Sequence, residues 1–140
     1  MEASPVIYLD SWVWLEYGLR GDQWTGARKS IDDALADGGA VSTIALTEID
    51  YILSREVDRT TADLVTSAIE DFDAIHIVPV SAEISLYASR LRSKYYERRD
   101  NELSYADAIH IATAGLLDCT ALHTGDADFE SVQEIETVVH

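Results

Sequence analysis

Hydrophobic positions along the chain fall into two alternating patterns, short continuous apolar runs and longer stretches with helical spacing. The continuous runs predict buried strands at 6–9, 40–42, 75–80 and 121–124, with a last edge strand at 136–139. The helically spaced stretches predict helices over 11–19, 22–37 and about 43–54, and further helices from Thr60, from Ser81 to about Arg98, and from Ser104. Strands that alternate with helices favour a parallel α/β sheet with helices on both faces.

The clearest of these predicted helices begins at Ser104. Its apolar residues lie at i, i+3, i+4, i+7 and i+11 and share one face: Tyr105, Ala108, Ile109, Ala112 and Leu116. The length of 140 residues and a hydrophobic content of 47% are enough for a real core. No repeat or linker interrupts the pattern, so residues 1–140 are expected to form a single domain.

Net charge changes the picture of possible partners. The chain carries 26 acidic residues against 10 Lys and Arg, a formal charge of −16, and a surface this acidic repels nucleic-acid phosphates. Molar salt removes that objection, because the Debye length there falls to ~3 Å. Only Lys29 and Lys94 are lysines, and abundant acid with scarce Lys is expected of a protein from a salt-loaded, halophilic cytoplasm.

Cysteine usage and hydropathy indicate the cellular compartment. Cys119 is the only cysteine, so no disulfide can form within the chain, which suits a reducing interior. The first ten residues lack a basic segment and a long apolar core, and no apolar run approaches ~18 residues. We therefore expect a cytoplasmic protein without a membrane span.

Carboxylates cluster where the predicted strands end. Asp10 follows the first strand, Glu48 lies early in the helix after the second, Asp107 is in the first turn of the helix at Ser104, and Asp126 and Asp128 follow the fourth strand. Parallel strands bring these positions to one edge of the sheet, where ligands bind in such folds. Convergent carboxylates either share a proton or bind a divalent cation, and oxygen ligands select Mg²⁺ or Mn²⁺. Such a site can activate water for attack on a phosphodiester.

Four segments together give the chain a family resemblance. They are YLDSWVWLE around Asp10, STIALTEIDYIL around Glu48, LSYADAIHIATA around Asp107 and HTGDADF around Asp126. In this order and spacing the chain resembles the PIN-domain nucleases, especially the VapC-like toxins of VapBC toxin–antitoxin pairs. The resemblance implies a three-layer α/β/α sandwich with a mainly parallel sheet.

The resemblance also implies a function and a set of site residues. It implies cleavage of RNA with Mg²⁺ or Mn²⁺, a homodimer, and inhibition by a small antitoxin protein. By motif position the core acids would be Asp10, Glu48, Asp107 and Asp126, with Asp128 as an auxiliary metal ligand. Ser11 and Thr124 match supporting Ser/Thr positions. Trp12 departs from the pattern, since many relatives carry Asn or Ser there.

Each acid also has a purely local interpretation. Asp10 can serve as a helix N-cap, and Ser104 with Asp107 resembles a capping box. Gly125 to Asp128 can form a solvated turn, and Glu48 taken alone suits an exposed helix face. Two other acids, Glu130 and Asp50, are assigned to the surface.

Histidines and aromatic residues are interpreted as structural. His110 lies one turn from Asp107 and could approach the acids, but a local hydrogen bond within its helix is commoner, so we leave it out of the site. His76 and His123 lie in apolar strands and are expected in the core. Trp12, Trp14 and Tyr17 are expected to pack in the core or at a dimer interface.

Half of the basic residues fall within ten positions: Arg90, Arg92, Lys94, Arg98 and Arg99. One interpretation is a solvated helix end, where cations favour the helix dipole. The other is a phosphate-binding strip for RNA, with Tyr95 and Tyr96 stacking on bases. The sequence does not separate the two.

Three functional classes follow. The favoured one is a metal-dependent endoribonuclease of the toxin type. An aspartyl phosphotransferase or receiver-like protein with Asp10 as nucleophile is disfavoured by Trp12 and by the scarcity of Lys. A PIN-like module that binds RNA or protein without catalysis is the alternative, although the intact set of acids argues against it.

Overall fold

A computed structural model describes residues 6–96 and 102–140 and contains a five-stranded parallel sheet. The strand order is β3-β2-β1-β4-β5, and every neighbouring pair is parallel. The strands are β1 (Ile7–Leu9), β2 (Gly39–Ser42), β3 (Ile75–Val78), β4 (Ala121–Thr124) and β5 (Thr137–Val139). All five predicted strands are therefore confirmed, and the last is an edge strand as expected.

In the described residues, six helices connect the strands. They are α1 (Ser11–Leu19), α2 (Trp24–Asp37), α3 (Thr43–Glu56), α4 (Arg59–Asp71), α5 (Ala82–Tyr95) and α6 (Tyr105–Leu116). Side-chain oxygens cap five of these six helices: Asp10, Ser42, Asp58, Ser81 and Ser104. These caps satisfy backbone N–H groups that have no partner within the helix, which fixes where each helix begins.

The helices form one layer on each side of the sheet. Tyr8 and Ala40 face one cluster, built with α5 and α6, while Leu9 and Val41 face the other, built with α1 to α4. Successive strand residues point to opposite faces, so two-sided burial needs the continuous apolar runs seen in the sequence. The predicted α/β/α sandwich is confirmed.

Strand order reverses at the centre of the sheet. The chain moves outward from β1 through β2 to β3, and the α5–α6 connection then returns it to β4 on the other side of β1. The carboxyl ends of β1 and β4 therefore flank the switch point, where open α/β sheets bind ligands. No helix in residues 6–96 and 102–140 is long and apolar enough to cross a membrane.

Two predictions of burial are wrong. The ends of the expected apolar face of α6 are open, with Tyr105 and Leu116 exposed, whereas His110 and Ile111 are fully buried. This arises because the middle of α6 is covered by the sheet and α5 together, while its ends project beyond them. His76 is exposed, since it lies on β3, an edge strand that has a neighbouring strand on one side only.

One predicted boundary also moves. Helix α5 ends at Tyr95, three residues before the predicted end, and Tyr96 already has extended backbone angles. The loop expected at 99–101, and the basic residues Arg98 and Arg99, lie outside the described residues.

Candidate active site

Asp10 occupies the switch point and is almost fully buried, with 4% of its surface exposed. It is the N-cap of α1, and its Oδ1 accepts a hydrogen bond from the Val13 backbone N at 3.4 Å. Burial raises the pKa of the Asp10 carboxyl to about 6, although His110 and the Thr124 hydroxyl lower it. The local and functional interpretations of Asp10 are therefore compatible.

Thr124 connects the two strand ends. It is fully buried at the end of β4, and a hydrogen-bonding interaction with its side chain lowers the pKa of the Asp10 carboxyl. Its Oγ1 also accepts a hydrogen bond from the Asp126 backbone N at 3.1 Å. Asp126 in turn accepts a bond from the Asp128 backbone N at 2.9 Å, which begins a short 3-10 turn. One hydroxyl thus holds Asp10 and the Asp126 loop together.

Asp107 approaches the same region from α6. Its carboxylate accepts a hydrogen bond from the Ser104 backbone N at 3.1 Å, and Ser104 Oγ accepts one from the Asp107 backbone N at 3.0 Å, so the predicted capping box is present. Burial raises the pKa of Asp107, and the charge of Asp126 raises it further, while the bonds to Ser104 lower it. Asp107 also raises the pKa of Asp10. The capping residue is therefore electrostatically coupled to both strand-end acids.

Glu48 reaches the site through a partner that the sequence analysis missed. Its Oε1 lies 2.9 Å from Nε2 of His110, and Nδ1 of that ring lies 2.6 Å from the Tyr8 hydroxyl. His110 was expected to bond within its own helix, and this expectation is wrong. One signal was available in the sequence. Tyr8 lies two residues before Asp10 at the first strand, so the two side chains are expected to point to the same face of the sheet.

The site is acidic but not closed around an ion. Asp107 raises the pKa of Asp10, and the charge of Asp126 raises the pKa of Asp107, yet all three carboxylates also accept hydrogen bonds from backbone N–H groups close to them in sequence. As these side chains stand, no group of three or more His, Cys, Asp or Glu in the described part of the chain is arranged to hold a metal. The donor set itself fits a hard divalent cation, since it consists of carboxylates, one of them buried and destabilised in its charged form.

The remaining predicted site residues are one acid, Asp128, and one hydroxyl, Ser11. Asp128 Oδ2 accepts a bond from the Glu102 backbone N at 3.2 Å, which turns it toward the loop before α6. Ser11 is buried as the first residue of α1. The surface assignments of Glu130 and Asp50 are confirmed, because Glu130 is exposed and Asp50 pairs with Arg59 at the surface.

Trp12, which departs from the family pattern, packs beside Gly125. A Cβ atom at Gly125 would lie 2.1 Å from Trp12 Cε2, so the indole needs a glycine there. The indole also stacks on the His140 ring, with ring centres 5.7 Å apart. Trp14 is buried, which agrees with the expectation that it packs in the core, and Tyr17 is partly exposed.

The basic cluster is divided between different partners. Lys94 binds Glu134 at 2.8 Å, and the Tyr95 hydroxyl donates to the same carboxylate. Arg90 is exposed. The Arg92 guanidinium lies over two rings, 4.3 Å from the centre of Tyr96 and 4.2 Å from that of Tyr105. Only Arg90 and Arg92 are thus placed without a carboxylate partner in the described part of this cluster.

The chain belongs to the PIN-domain family, because the family model described as the PIN domain matches residues 7–135. Among solved structures it is similar to VapC20 of Mycobacterium tuberculosis, a toxin described as cleaving the sarcin–ricin loop. That similarity has 22% identity and a TM-score of 0.74, over 93% of this chain and 98% of VapC20. No curated protein matches the chain significantly in sequence.

Two further structures show the same fold. DNA-bound VapBC from Salmonella typhimurium has 13% identity and a TM-score of 0.74, over 96% of this chain and 98% of that one. FitAcB from Neisseria gonorrhoeae has 18% identity and a TM-score of 0.69, over 94% and 95% of the two chains. At these identities the likeness establishes the fold, and the resemblance deduced from the four acidic segments is confirmed at the level of the family.

Proposed function

We propose that the protein is a metal-dependent endoribonuclease, the toxin of a toxin–antitoxin pair. The observation that carries the proposal is Asp10, a carboxyl buried at the switch point whose pKa is raised to about 6 and which is coupled to Asp107. A buried acid that is costly to ionise beside other acids is a common feature of functional sites. A divalent cation would offset the repulsion between these carboxylates, because a nearby opposite charge favours their ionised forms.

Four residues of the chain would hold the cation: Asp10, Glu48, Asp107 and Asp126. When bound, Mg²⁺ or Mn²⁺ would polarise a phosphate oxygen and lower the pKa of a water for attack on phosphorus. Thr124 would keep the Asp10 carboxyl beside the Asp126 loop, and the Ser104 capping box would fix Asp107 at the start of α6. Burial of Asp10 limits water around the acids, which strengthens electrostatic interactions with the substrate.

Cleavage of a mixed RNA pool tests the proposal. The assay compares Mn²⁺ with EDTA in high salt, so that the charge of −16 does not repel the substrate. We expect Mn²⁺-dependent cleavage that falls by at least about 100-fold in Asp10→Asn, as typical for loss of a residue at the reacting centre. Asp50→Asn, the same change at a surface acid paired with Arg59, is the control and should remain active.

One outcome would favour the alternative function. If the folded wild type binds Mn²⁺ but cleaves no RNA in any salt, the protein is a PIN-like binding module rather than a nuclease. If Asp10→Asn and Asp50→Asn cleave equally well, the nuclease activity does not depend on the site described here.

The surface beside Asp107 supports single-stranded RNA as the substrate. Tyr105 is 69% exposed and adjoins the capping box of Asp107, and Arg92 lies between it and Tyr96. Aromatic rings that stack on bases contribute ~1–3 kcal/mol each, and an arginine adds cation–π attraction. The other basic residues predicted to bind RNA, Arg98 and Arg99, follow Tyr96 in sequence and lie outside the described residues.

RNA binding by the inactive Asp10→Asn protein measures this contribution. We expect Tyr105→Ala to weaken binding of a single-stranded oligonucleotide by about 10-fold, the loss of one stacked base. The matched control is Tyr51→Ala, because Tyr51 is also exposed and also lies beneath an arginine, Arg55, but on the opposite layer. If Tyr105→Ala and Tyr51→Ala weaken RNA binding equally, stacking of bases on Tyr105 does not contribute to substrate binding.

An apolar groove supports a small antitoxin as partner. A cavity of about 330 Å³ lies between α1, α2 and α4, and its walls include Trp14, Ile31, Leu64 and Phe72. Leu64 is 67% exposed beside it, and an open apolar surface of this kind suits an amphipathic helix. Structures such as the toxin–antitoxin complex from Klebsiella pneumoniae share the fold, with a TM-score of 0.64.

Co-expression with the product of the adjacent upstream reading frame tests the partner. We expect a stable complex that Leu64→Glu disrupts and Leu86→Glu does not, because Leu86 is equally exposed but lies on α5. Light scattering of the free toxin would determine whether it forms the homodimer that the family resemblance implies. Disruption by Leu86→Glu alone would place the partner on the other layer.

A further inference from the structure

Three hydrogen bonds link the backbone of β2 to the acidic site. The Ser42 backbone N lies 3.1 Å from the Tyr8 hydroxyl, which lies 2.6 Å from His110 Nδ1, and His110 Nε2 lies 2.9 Å from Glu48 Oε1. Tyr8 and His110 are buried, with 0% and 1% of their surfaces exposed. The chain of contacts crosses from the sheet through α6 to α3.

The backbone end of this chain favours one direction for its protons. A backbone N–H can only donate, so the Tyr8 oxygen accepts from Ser42, which leaves the phenol proton to be donated to His110 Nδ1. Burial raises the pKa of Tyr8, which keeps the phenol protonated. A ring whose Nδ1 accepts from Tyr8 carries a proton on Nε2, which is then the donor to Glu48.

The tautomer with its only proton on Nδ1 would be unfavourable at Glu48. Its Nε2 lone pair would face the carboxylate, whereas the Tyr8 oxygen could still accept from Nδ1. A buried polar group without a suitable partner costs ~1–3 kcal/mol. Burying leucine or isoleucine at position 110 of α6 would cost less free energy than burying an imidazole. The histidine is therefore best explained by the Glu48 carboxylate that it binds.

We propose that Tyr8 and His110 are positioning residues that orient Glu48 for the cation. In this arrangement Nε2–H occupies Oε1 of Glu48 and leaves the second carboxylate oxygen for the metal. The proposal rests on the proposed function, because it takes Glu48 as a cation ligand. Residues that orient metal ligands in this way typically change metal affinity by about 10–100-fold when they are replaced.

The tautomer is tested first, in metal-free protein. Nitrogen-15 NMR of the labelled histidines distinguishes a protonated ring nitrogen from an unprotonated one. We expect His110 to carry its proton on Nε2 and to have an unprotonated Nδ1, and we expect Tyr8→Phe to shift the Nδ1 signal. A proton on Nδ1 in the wild type would overturn the proposal.

Mn²⁺ affinity, measured by titration calorimetry or electron paramagnetic resonance, is the second test. Tyr8→Phe removes only the hydroxyl and should weaken binding by about 3-fold or more, and His110→Leu should weaken it by about 10–100-fold. Ser30→Ala is the control, because it removes the hydroxyl that contacts a different imidazole, that of the half-buried His123. It should leave Mn²⁺ affinity unchanged. Circular dichroism checks that each variant is folded.

The outcomes separate this proposal from the proposed function. If Glu48→Gln weakens Mn²⁺ binding but Tyr8→Phe and His110→Leu do not, Glu48 is a ligand that needs no positioning, and the proposal is wrong. If the wild type binds no Mn²⁺ while His110 has the expected tautomer, the metal site of the proposed function fails, and the role given to Glu48 fails with it.

Discussion

Two imidazoles lie on opposite sides of the sheet, and they are held in different ways. His110 has a phenol on one nitrogen and a carboxylate on the other. His123 has Ser30 Oγ at 2.8 Å from Nδ1, and the same oxygen lies 3.0 Å from Nε2 of His140. The two imidazole nitrogens of the second group are 3.4 Å apart. Both groups are hydrogen-bonded, but only the first contains a fixed donor.

The difference concerns what determines the position of the protons. In the first group the Ser42 backbone N–H can only donate, which leaves the Tyr8 proton for His110 and favours one direction along the group. In the second group the Ser30 hydroxyl has a single proton for two nitrogens, and either ring can supply the other. The first arrangement can orient a carboxylate, whereas the second stabilises the packing of β4 and the chain end while both rings stay neutral.

The largest expected contrast is in stability. His110→Ala leaves a buried phenol without its partner and creates a cavity, which should lower the free energy of unfolding by about 2–4 kcal/mol. His123→Ala removes a half-buried ring with a hydroxyl partner and should cost about 1 kcal/mol. Urea unfolding in EDTA measures both. Similar losses would show that the first group is no more specifically organised than the second.

A smaller effect is expected at Asp10, whose ionisation responds to pH in the opposite direction to that of the imidazole pair. Its pKa is about 6 in the folded chain against 3.8 normally, so its contribution is fully present below pH 3.8 and is lost as pH rises through about 6. Asp10→Asn should therefore raise stability by about 2 kcal/mol at pH 8 in EDTA. It should give no such gain near pH 4.

Asp50→Asn is the control for this measurement, because its carboxylate pairs with Arg59 at the surface. A gain in stability from Asp50→Asn at pH 8 as large as that from Asp10→Asn would attribute the effect to net charge rather than to burial.

The smallest expected effect is the pH response of the His123–His140 pair. Burial lowers the pKa of both rings, and for His123 the neighbouring His140 lowers it further. Since the folded pKa values lie below the ordinary 6.5, stability is full above that pH and is lost as pH falls through the folded values. In the Asp10→Asn background, which removes the opposing carboxyl, His140→Gln should flatten the decline between pH 7 and pH 5.

Thermal or urea unfolding at several pH values would detect this change of slope. If the double variant loses stability with falling pH as steeply as Asp10→Asn alone, then the imidazole pair does not titrate with folding, and the distinction drawn between the two groups is wrong in this respect.

Local patterns were sufficient for most of the fold. The strand and helix bounds follow from apolar runs and caps such as Ser81 and Ser104, which act within a few residues of themselves. The prediction failed where burial depends on several elements together. Ile111 is buried and Tyr105 is exposed. The helical spacing of the apolar residues in α6 does not show how much of the helix α5 and the sheet cover.

The candidate site divides in the same way. The acids at strand ends and helix starts, including Asp10 and Asp107, were predicted because parallel strands bring those positions to one edge whatever the strand order. Their role as metal ligands stays a prediction. The partners of Glu48 were missed, because the contact of Tyr8 with His110 joins residues 102 positions apart.

The sequence by itself determined the alternation of strands and helices, the acidic edge and the family, since these depend on local periodicity and on residue types at short spacings. Only the tertiary structure decided the strand order β3-β2-β1-β4-β5 and the proton directions between Ser42 and Glu48. The physical reason is range. A hydrogen bond acts over about 3 Å, so its partners are known only when the sheet and α6 have brought distant residues together.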